Sequence, residues 1–318
     1  MTLGDNTDLK LEVNNYGNIA LYNNGIAQYF STWGFGNYLH IDTQLYSSNW
    51  SNDNFTPVAN YQYGNGDTIY TDLKAGSDID INQSVTYIDG NDSVLYVWKV
   101  KNTSGATKNN LRFIRGGDTY FDSSDSSYTG YNDSQNMVFV SNYAQTSYMG
   151  LAGDTGSLAN AFYAGYYDTA HSESSSGQLS NYVYSSYTDA GYALQWNKTS
   201  LAPNEVWEIR AIETIKTATP PTNTGSRTPI SFSTTNQPST LNRILAISET
   251  ENLEVIETSA NTYSSPVFSS SESFSLVFEI IDGGINKYYF YNFCDGKLYR
   301  TIDETTSATK ACFYAIPS

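Results

Sequence analysis

The chain has 318 residues, enough for one large domain or two ordinary ones, each with its own hydrophobic core. Aromatic residues make up 15% of it, with 28 tyrosines, a composition that favours strands over long helices. The 32 acidic residues against 16 basic ones give a formal charge of −16, which repels phosphate backbones and anionic membrane surfaces. We therefore expect no nucleic-acid binding. Because no apolar run approaches the roughly 20 residues that span a bilayer, we also expect no membrane insertion.

The composition also bears on where the protein works. Residues 1–8 are polar and lack the basic and then apolar pattern of a signal peptide. A cytoplasmic location is one explanation, and a leader outside the numbered chain is the other. Since β-proteins rich in Asn, Ser, Thr, Tyr and Gly and poor in Lys are typical of the outside of cells, we predict an extracellular or cell-surface location.

The first elements in chain order form a predicted hairpin. Leu9, Leu11 and Val13 alternate with polar residues, a turn follows at 14–17, and a second strand runs over 18–22. This N-terminal strand has two candidate partners. It pairs either within its own domain or with the sheet edge of a neighbouring copy, which would give head-to-tail self-assembly into a filament.

The most regular part of the sequence begins at Thr68. Four stretches, at 68–74, 79–88, 94–102 and 111–120, show period-two alternation and short turns, which predicts an antiparallel meander with one buried face. Further along, the spacing of apolar residues predicts a short helix over 157–171. A long strand is predicted over 206–216, and its apolar residues imply either a bulge or burial on both faces.

The chain is predicted to be all-β, with a large antiparallel β-sandwich over 1–216 and a small Ig-like β-sandwich over 230–318. Between them, 217–229 contains three prolines with Gly, Thr and Asn and no periodic apolar signal, which indicates a linker.

Three stretches carry a family resemblance: TYIDGNDSVLYVWKVKNTSGATKNNLRFIRGGDTYF (86–121), GYALQW (191–196) and SLAPNEVWEIRAIE (200–213). They resemble a domain of large bacterial secreted and cell-surface proteins, mostly of unassigned function, over roughly 9–215. Asn204 replaces a glycine of that pattern and tolerates the same left-handed backbone. The layout is similar to the supersandwich of mutarotase-like and polysaccharide-degrading proteins, which implies a fold but no chemistry.

The loop within 112–136 is dense in carboxylates. Its four aspartates, Asp118, Asp122, Asp125 and Asp133, repel one another unless solvent, a cation or hydrogen-bond donors take up the charge. Calcium prefers six to eight oxygen ligands, so a Ca²⁺ site at these four residues is one hypothesis. The alternative is a water-exposed acidic loop in which Asp118 caps its own turn.

Aromatic residues in two loops are candidates for stacking on sugar rings. They are Trp50, Phe55, Tyr120, Tyr128 and Tyr131. Tyrosine-rich loops bind many kinds of ligand, because tyrosine offers a large contact area at low entropic cost.

A mutarotase-type reaction would need a histidine and a glutamate to converge on a sugar. The chain offers His40, His171, Glu208 and Glu213, but the two glutamates are an odd number of residues apart and would face opposite sides of one strand. These residues are therefore weak catalytic candidates.

The two cysteines, Cys294 and Cys312, both lie near the C-terminus. Outside the cell they are predicted to form a disulfide that contributes about 3 kcal/mol, with a pair of buried thiols as the alternative. Two cysteines with two distant histidines do not make a zinc site.

Taken together, these patterns favour a non-enzymatic extracellular surface protein, serving in adhesion, matrix or an appendage filament and stabilised by calcium. The alternative is a carbohydrate-binding or carbohydrate-active protein that uses the acidic, aromatic-rich loop 116–136.

Overall fold

The computed structural model describes residues 1–31, 34–49, 52–63, 66–154 and 156–225, and seven segments beyond them: 231–233, 241–247, 252–259, 262–264, 274–282, 285–294 and 297–305. The chain divides into two compact units, Met1–Ser226 and Arg227–Ser318. Nearly all regular structure is β, which confirms the predicted all-β class.

The first unit contains nineteen described strands and one α-helix. In chain order they are β1 (Thr2–Gly4), β2 (Leu9–Val13), β3 (Ile19–Asn23), β4 (Ile26–Ala27), β5 (Phe35–Ile41), β6 (Gln44–Asn49), β7 (Asn52–Asp53), β8 (Thr56–Tyr63), β9 (Thr68–Ala75), β10 (Ile79–Thr86), β11 (Ser93–Asn102), β12 (Lys108–Asp118), a 3₁₀ turn (Phe121–Ser123), β13 (Ser126–Asn132), β14 (Met137–Ser141), β15 (Tyr148–Gly153), β16 (Ala161–Tyr166), α1 (Tyr167–Ser176), β17 (Tyr182–Val183), β18 (Thr188–Leu201) and β19 (Val206–Lys216).

Most of these strands belong to one large curled sheet with the order β7-β6-β5-β12-β18-β13-β14-β15-β19-β11-β10-β9-β8, to which β16 and β17 are added beside β18. The sheet folds over where β18 pairs with β13, so its two halves form two layers. Aromatic rings meet between the layers. The ring centroid of Trp98 on β11 lies 4.9 Å from that of Phe113 on β12 and 6.3 Å from that of Trp196 on β18. A separate four-stranded sheet contains β1 to β4.

The N-terminal hairpin forms as predicted. β2 pairs with β3, and Leu9, Leu11 and Val13 are buried in the core of their own unit. The Met1 amino group donates to the Val13 carbonyl at 2.7 Å. The strand therefore has its intramolecular partner, and self-assembly through it stays a prediction.

Three strands of the predicted meander, β9 to β11, pair in sequence order, but the fourth does not. β12 crosses to the other layer, where it pairs with β5 and β18, and β11 pairs with β19 instead. Gly116 and Gly117 allow this packing, because a β-carbon at Gly117, whose φ is +151°, would overlap the carbonyl oxygen of Gly34. The prediction of one buried face is also wrong for the end of β12, because residues 113–117 are buried on both faces of the strand.

The helix lies later in the chain than predicted. Residues 161–166 form β16, which is buried and pairs with β18, and α1 begins at Tyr167. Gly177, with φ +78°, ends the helix, and its amide donates to the carbonyls of Glu173 and Ser174. The apolar spacing over 157–171 thus belongs to a buried strand followed by a helix.

A charged cluster lies at the centre of the sandwich. Glu213 on β19 accepts hydrogen bonds from the hydroxyls of Tyr29, Tyr96 (2.7 Å) and Tyr192 (2.8 Å). The Arg115 guanidinium, also fully buried, lies 5.4 Å from the ring of Tyr96. Burial, and after it the Glu213 carboxylate, raises the pKa of all three tyrosines well above the ordinary value, so they remain hydrogen-bond donors.

The predicted linker is partly tied to the first unit. The Thr224 amide donates to the Tyr131 carbonyl at 2.7 Å, and the Asn132 side chain donates to the Thr222 carbonyl at 2.9 Å. Residues 222–224 are therefore held against the end of β13.

In the second unit, the described residues form two sheets. Their strands are β20 (Ser231–Ser233), β21 (Leu241–Ile247), β22 (Asn252–Glu254), β23 (Ile256–Ser259), β24 (Thr262–Ser264), β25 (Phe274–Asp282), β26 (Ile285–Cys294) and β27 (Lys297–Thr305), in the orders β20-β24-β23 and β22-β21-β25-β26-β27. Cys294 ends β26, whereas Cys312 lies outside the described residues, so the disulfide stays a prediction. In the described part of the chain, no helix is long and apolar enough to cross a membrane.

Candidate functional site

The structure separates the four aspartates of the acidic loop. Asp118 ends β12 and Asp125 precedes β13, whereas Asp133 follows β13, at the far end of a strand that spans more than about 20 Å. The Asp122 carboxylate accepts a hydrogen bond from the Asn142 amide at 3.0 Å. Only Asp118 and Asp125 are thus brought together.

Asp118 has a different neighbour that sequence reasoning missed. Asp189, near the start of β18, pairs with Ser126, immediately after Asp125. Burial raises the pKa of Asp118 to about 8, and the nearby Asp189 and Asp125 carboxylates add to the effect. Oδ1 of Asp118 and Oδ1 of Asp125 are buried without a hydrogen-bond partner among the described residues. The site therefore contains a carboxyl group that stays protonated near neutral pH.

Asp122 and Asp133 lie apart from Asp118 and Asp125 in the fold. Among the described residues, no three His, Cys, Asp or Glu side chains are grouped as a metal ion would require. Calcium binding at Asp118, Asp122, Asp125 and Asp133 stays a prediction, tested by whether EDTA lowers the melting temperature.

The predicted sugar-stacking residues have different environments. Phe55 and Tyr131 are buried, the latter with its ring stacked 3.6 Å from that of Phe162, so neither offers a face to a ligand in this structure. Tyr120 and Tyr128 are partly exposed, and Tyr128 packs with other surface tyrosines. Trp50 lies outside the described residues. Two of the five are therefore core residues. The predicted loop 116–136 is partly strand: Tyr131 lies on β13, paired with Val138, and its side chain faces the core.

A group of tyrosines not singled out from the sequence lines a surface pocket of about 270 Å³ beside this acidic group. The lining residues are Tyr163, Tyr166, Thr169, Tyr182, Tyr184 and Thr188. Tyr163 is buried and forms the inner wall, whereas Tyr166, Tyr182 and Tyr184 are more than 40% exposed. Thr188 directly precedes Asp189 on β18, and the Asp189 and Asp118 carboxylates act on Tyr167, next to Tyr166, so the pocket and the carboxylates lie at the same end of β18, although none of the carboxylates lines the pocket.

The segment that supplies the pocket lacks lysine and arginine. Residues 116–197 contain no lysine or arginine, although they supply the pocket, Asp118, Asp125 and Asp189. Burial and then the Asp125 carboxylate raise the pKa of Asp189, as expected where carboxylates lack a cationic partner. The site therefore disfavours anionic ligands.

The histidines and glutamates considered for mutarotase chemistry do not converge. Glu213 is buried between the layers, while Glu208 is exposed and pairs with Lys99 at 3.5 Å, as the odd spacing predicted. His40 and His171 contact other partners near α1: His40 Nε2 bonds the Ser174 carbonyl, and His171 Nδ1 lies 2.9 Å from the Tyr38 hydroxyl. Burial lowers the pKa of both histidines.

No protein-family model and no curated protein matches the sequence. Solved structures with a similar fold include a bacterial glucoamylase in complex with acarbose, at 11% identity and a TM-score of 0.49, over 67% of this chain and 31% of the enzyme. A candidate aldose 1-epimerase from Escherichia coli K12 matches at 9% identity and a TM-score of 0.41, over 68% of this chain and 98% of that one. Heparan sulfate lyase from Pedobacter heparinus matches at 11% identity and a TM-score of 0.41, over 91% of this chain and 36% of the lyase.

The chain thus spans about a third of the length of two of these enzymes. With TM-scores below 0.5, these similarities carry no argument about chemistry. The resemblance to secreted surface domains stays a prediction.

Proposed function

We propose that the protein binds neutral carbohydrate in the tyrosine-lined pocket beside Asp189. The observation that supports this most directly is the group of exposed tyrosines, Tyr166, Tyr182 and Tyr184, around a concave surface. Ligand sites are typically concave, with aromatic walls and a few polar groups that fix orientation. Tyrosine suits a sugar because its ring packs on an apolar ring face while its hydroxyl hydrogen-bonds.

The acidic group defines which sugars are suitable. A carboxylate accepts hydrogen bonds from sugar hydroxyls, and a protonated carboxyl such as that of Asp118 can also donate one. Uronic-acid and sulfated chains would instead meet Asp118, Asp125 and Asp189 with no lysine or arginine in 116–197 to neutralise them. Neutral sugars are therefore the proposed ligands.

Replacing Tyr182 or Tyr184 with alanine should weaken binding of a neutral oligosaccharide by roughly two- to tenfold, since an aromatic contact contributes roughly 0.5–1.5 kcal/mol. Ligands would be found on a glycan array and affinities measured by calorimetry. The matched control is Tyr63→Ala, an exposed tyrosine on β8 at the far edge of the sheet. Equal affinities for all variants, or binding confined to anionic glycans, would contradict the proposal.

Catalysis is a second candidate, favoured by the raised pKa of Asp118 beside two further carboxylates. Glycoside hydrolysis uses one protonated carboxyl as acid and a second carboxylate as base or nucleophile. Asp118 would donate the proton, and Asp125 or Asp189 would act as the second group. The test is a reducing-sugar assay. If the wild-type protein releases reducing sugar and Asp118→Asn does not, while it still binds the oligosaccharide, the activity is supported. No release by the wild-type protein would exclude it for the sugars tested.

The extracellular surface role in adhesion or matrix stays a prediction. Sugar binding at the pocket would give such a protein a means of attachment, whereas filament formation requires a separate contact. Light scattering of the full chain, with and without residues 1–8, tests the filament.

A further inference from the structure

A second group of surface tyrosines lies next to the pocket. Tyr128, Tyr143 and Tyr187 contact one another, with ring centroids 5.1 Å apart for Tyr128 and Tyr187, 5.3 Å for Tyr143 and Tyr187, and 6.2 Å for Tyr128 and Tyr143. Tyr143 is 72% exposed and Tyr187 38% exposed. Three large aromatic side chains thus pack together on the surface rather than in the core.

One segment, 182–188, joins this cluster to the pocket. Tyr182, Tyr184 and Thr188 line the pocket, while Tyr187, between them in sequence, belongs to the second cluster. The segment lies along β13, because Thr129 Oγ1 donates to the Tyr184 carbonyl at 2.7 Å and Ser127 pairs with Thr188. The two tyrosine groups are therefore neighbours on a continuous surface.

Hydrogen bonds hold this surface in place. β13 is paired on one side with β14 and near its start with β18, and the hydroxyls of Tyr187 and Ser124 lie 3.4 Å apart. The turn that carries Tyr143 is fixed by Asn142, whose side-chain oxygen accepts from the Thr146 amide at 2.9 Å. A surface organised before binding loses less conformational entropy when a ligand binds.

We propose, building on the proposed function, that the pocket and the second tyrosine cluster form one elongated site for a linear neutral polysaccharide. A single sugar in the pocket would leave Tyr128, Tyr143 and Tyr187 uncovered, whereas a chain of several sugar units reaches both groups. Since Asp125 and Asp189 lie near the start of β13 and β18, where this surface passes, repulsion by their carboxylates disfavours an anionic chain relative to a neutral one.

The test is the dependence of affinity on chain length. Calorimetry would use cello-, malto- and manno-oligosaccharides from disaccharide to octasaccharide, with alginate and heparan sulfate as anionic polymers. In the oligosaccharide series that binds, we expect the affinity of the full-length protein to rise at least about tenfold from the disaccharide to the octasaccharide, as additional aromatic contacts form. Tyr143→Ala should remove most of that gain, whereas Tyr182→Ala should weaken the binding of every length.

Tyr63→Ala serves again as control, and circular dichroism confirms that each variant is folded. Equal affinity for short and long oligosaccharides, or a length gain that survives Tyr143→Ala, would overturn the elongated site while leaving sugar binding at the pocket intact. No binding by any neutral oligosaccharide would overturn both proposals. Preferential binding of alginate or heparan sulfate would overturn the choice of a neutral chain.

Discussion

Replacing Glu213 with alanine is expected to lower the free energy of unfolding by about 3–5 kcal/mol, since each buried hydroxyl left without its acceptor costs about 1–3 kcal/mol. The change removes a favourable electrostatic interaction with the buried Arg115 guanidinium. It also removes the acceptor for the hydroxyls of Tyr29, Tyr96 and Tyr192. An unsatisfied buried polar group is itself costly, so the effects act in the same direction.

Chemical denaturation followed by tryptophan fluorescence measures this change. All five tryptophans lie before residue 208, so the signal reports the first unit alone. Glu208→Ala is the matched control, because Glu208 is on the same strand but exposed, and a surface ion pair contributes about 1 kcal/mol or less.

The double variant Arg115→Met/Glu213→Leu distinguishes the effect of an isolated buried charge from the effect of altered packing. Replacing both residues leaves no isolated buried charge, so the double variant should lose less stability than the sum of the two single changes, although the three tyrosine hydroxyls still lack their acceptor. Additive losses in the double variant, or a Glu213→Ala loss no larger than that of Glu208→Ala, would show that the cluster does not act as a coupled unit.

Replacing Asp118 with asparagine is expected to stabilise the protein increasingly as the pH rises from about 4 to about 8. Burial holds the pKa of the folded carboxyl at about 8, against an ordinary value of 3.8. Between these values the folded protein retains a proton that the unfolded chain has released, so the wild type loses stability with rising pH. The slope for one proton is at most about 1.4 kcal/mol per pH unit, and solvent screening of this part-exposed carboxyl reduces it.

The measurement is the free energy of unfolding from pH 5 to 9 for both proteins. The wild-type curve should fall toward pH 8, and the Asp118→Asn curve should be flatter. Asp189→Asn should reduce the slope in part, because the Asp189 carboxylate contributes to the raised pKa of Asp118. Asp89→Asn, at an exposed turn, is the control. Parallel curves for wild type and Asp118→Asn would show that Asp118 titrates as an ordinary surface aspartate.

Several features of the protein follow from the sequence by itself, because they depend on local chemistry. Alternation of apolar and polar residues in 9–13 identified a buried strand face, and Asn24 and Gly25 both have the positive φ that a tight hairpin turn needs. Asn204 likewise has φ +65°, the left-handed backbone implied by its replacement of a glycine in the family pattern. The odd spacing of Glu208 and Glu213 predicted their opposite faces.

The tertiary structure alone decided the rest, including the composition of the site. Alternation shows which residues share a strand face, but it does not show which strands are neighbours or whether a face is covered. Asp189 is 71 positions from Asp118 in sequence, and strand pairing brings the two carboxyls together, while Asp133 is carried away along β13. Tyr131 is buried and Tyr182 exposed because packing of the layers, rather than residue type, determines which tyrosines face solvent.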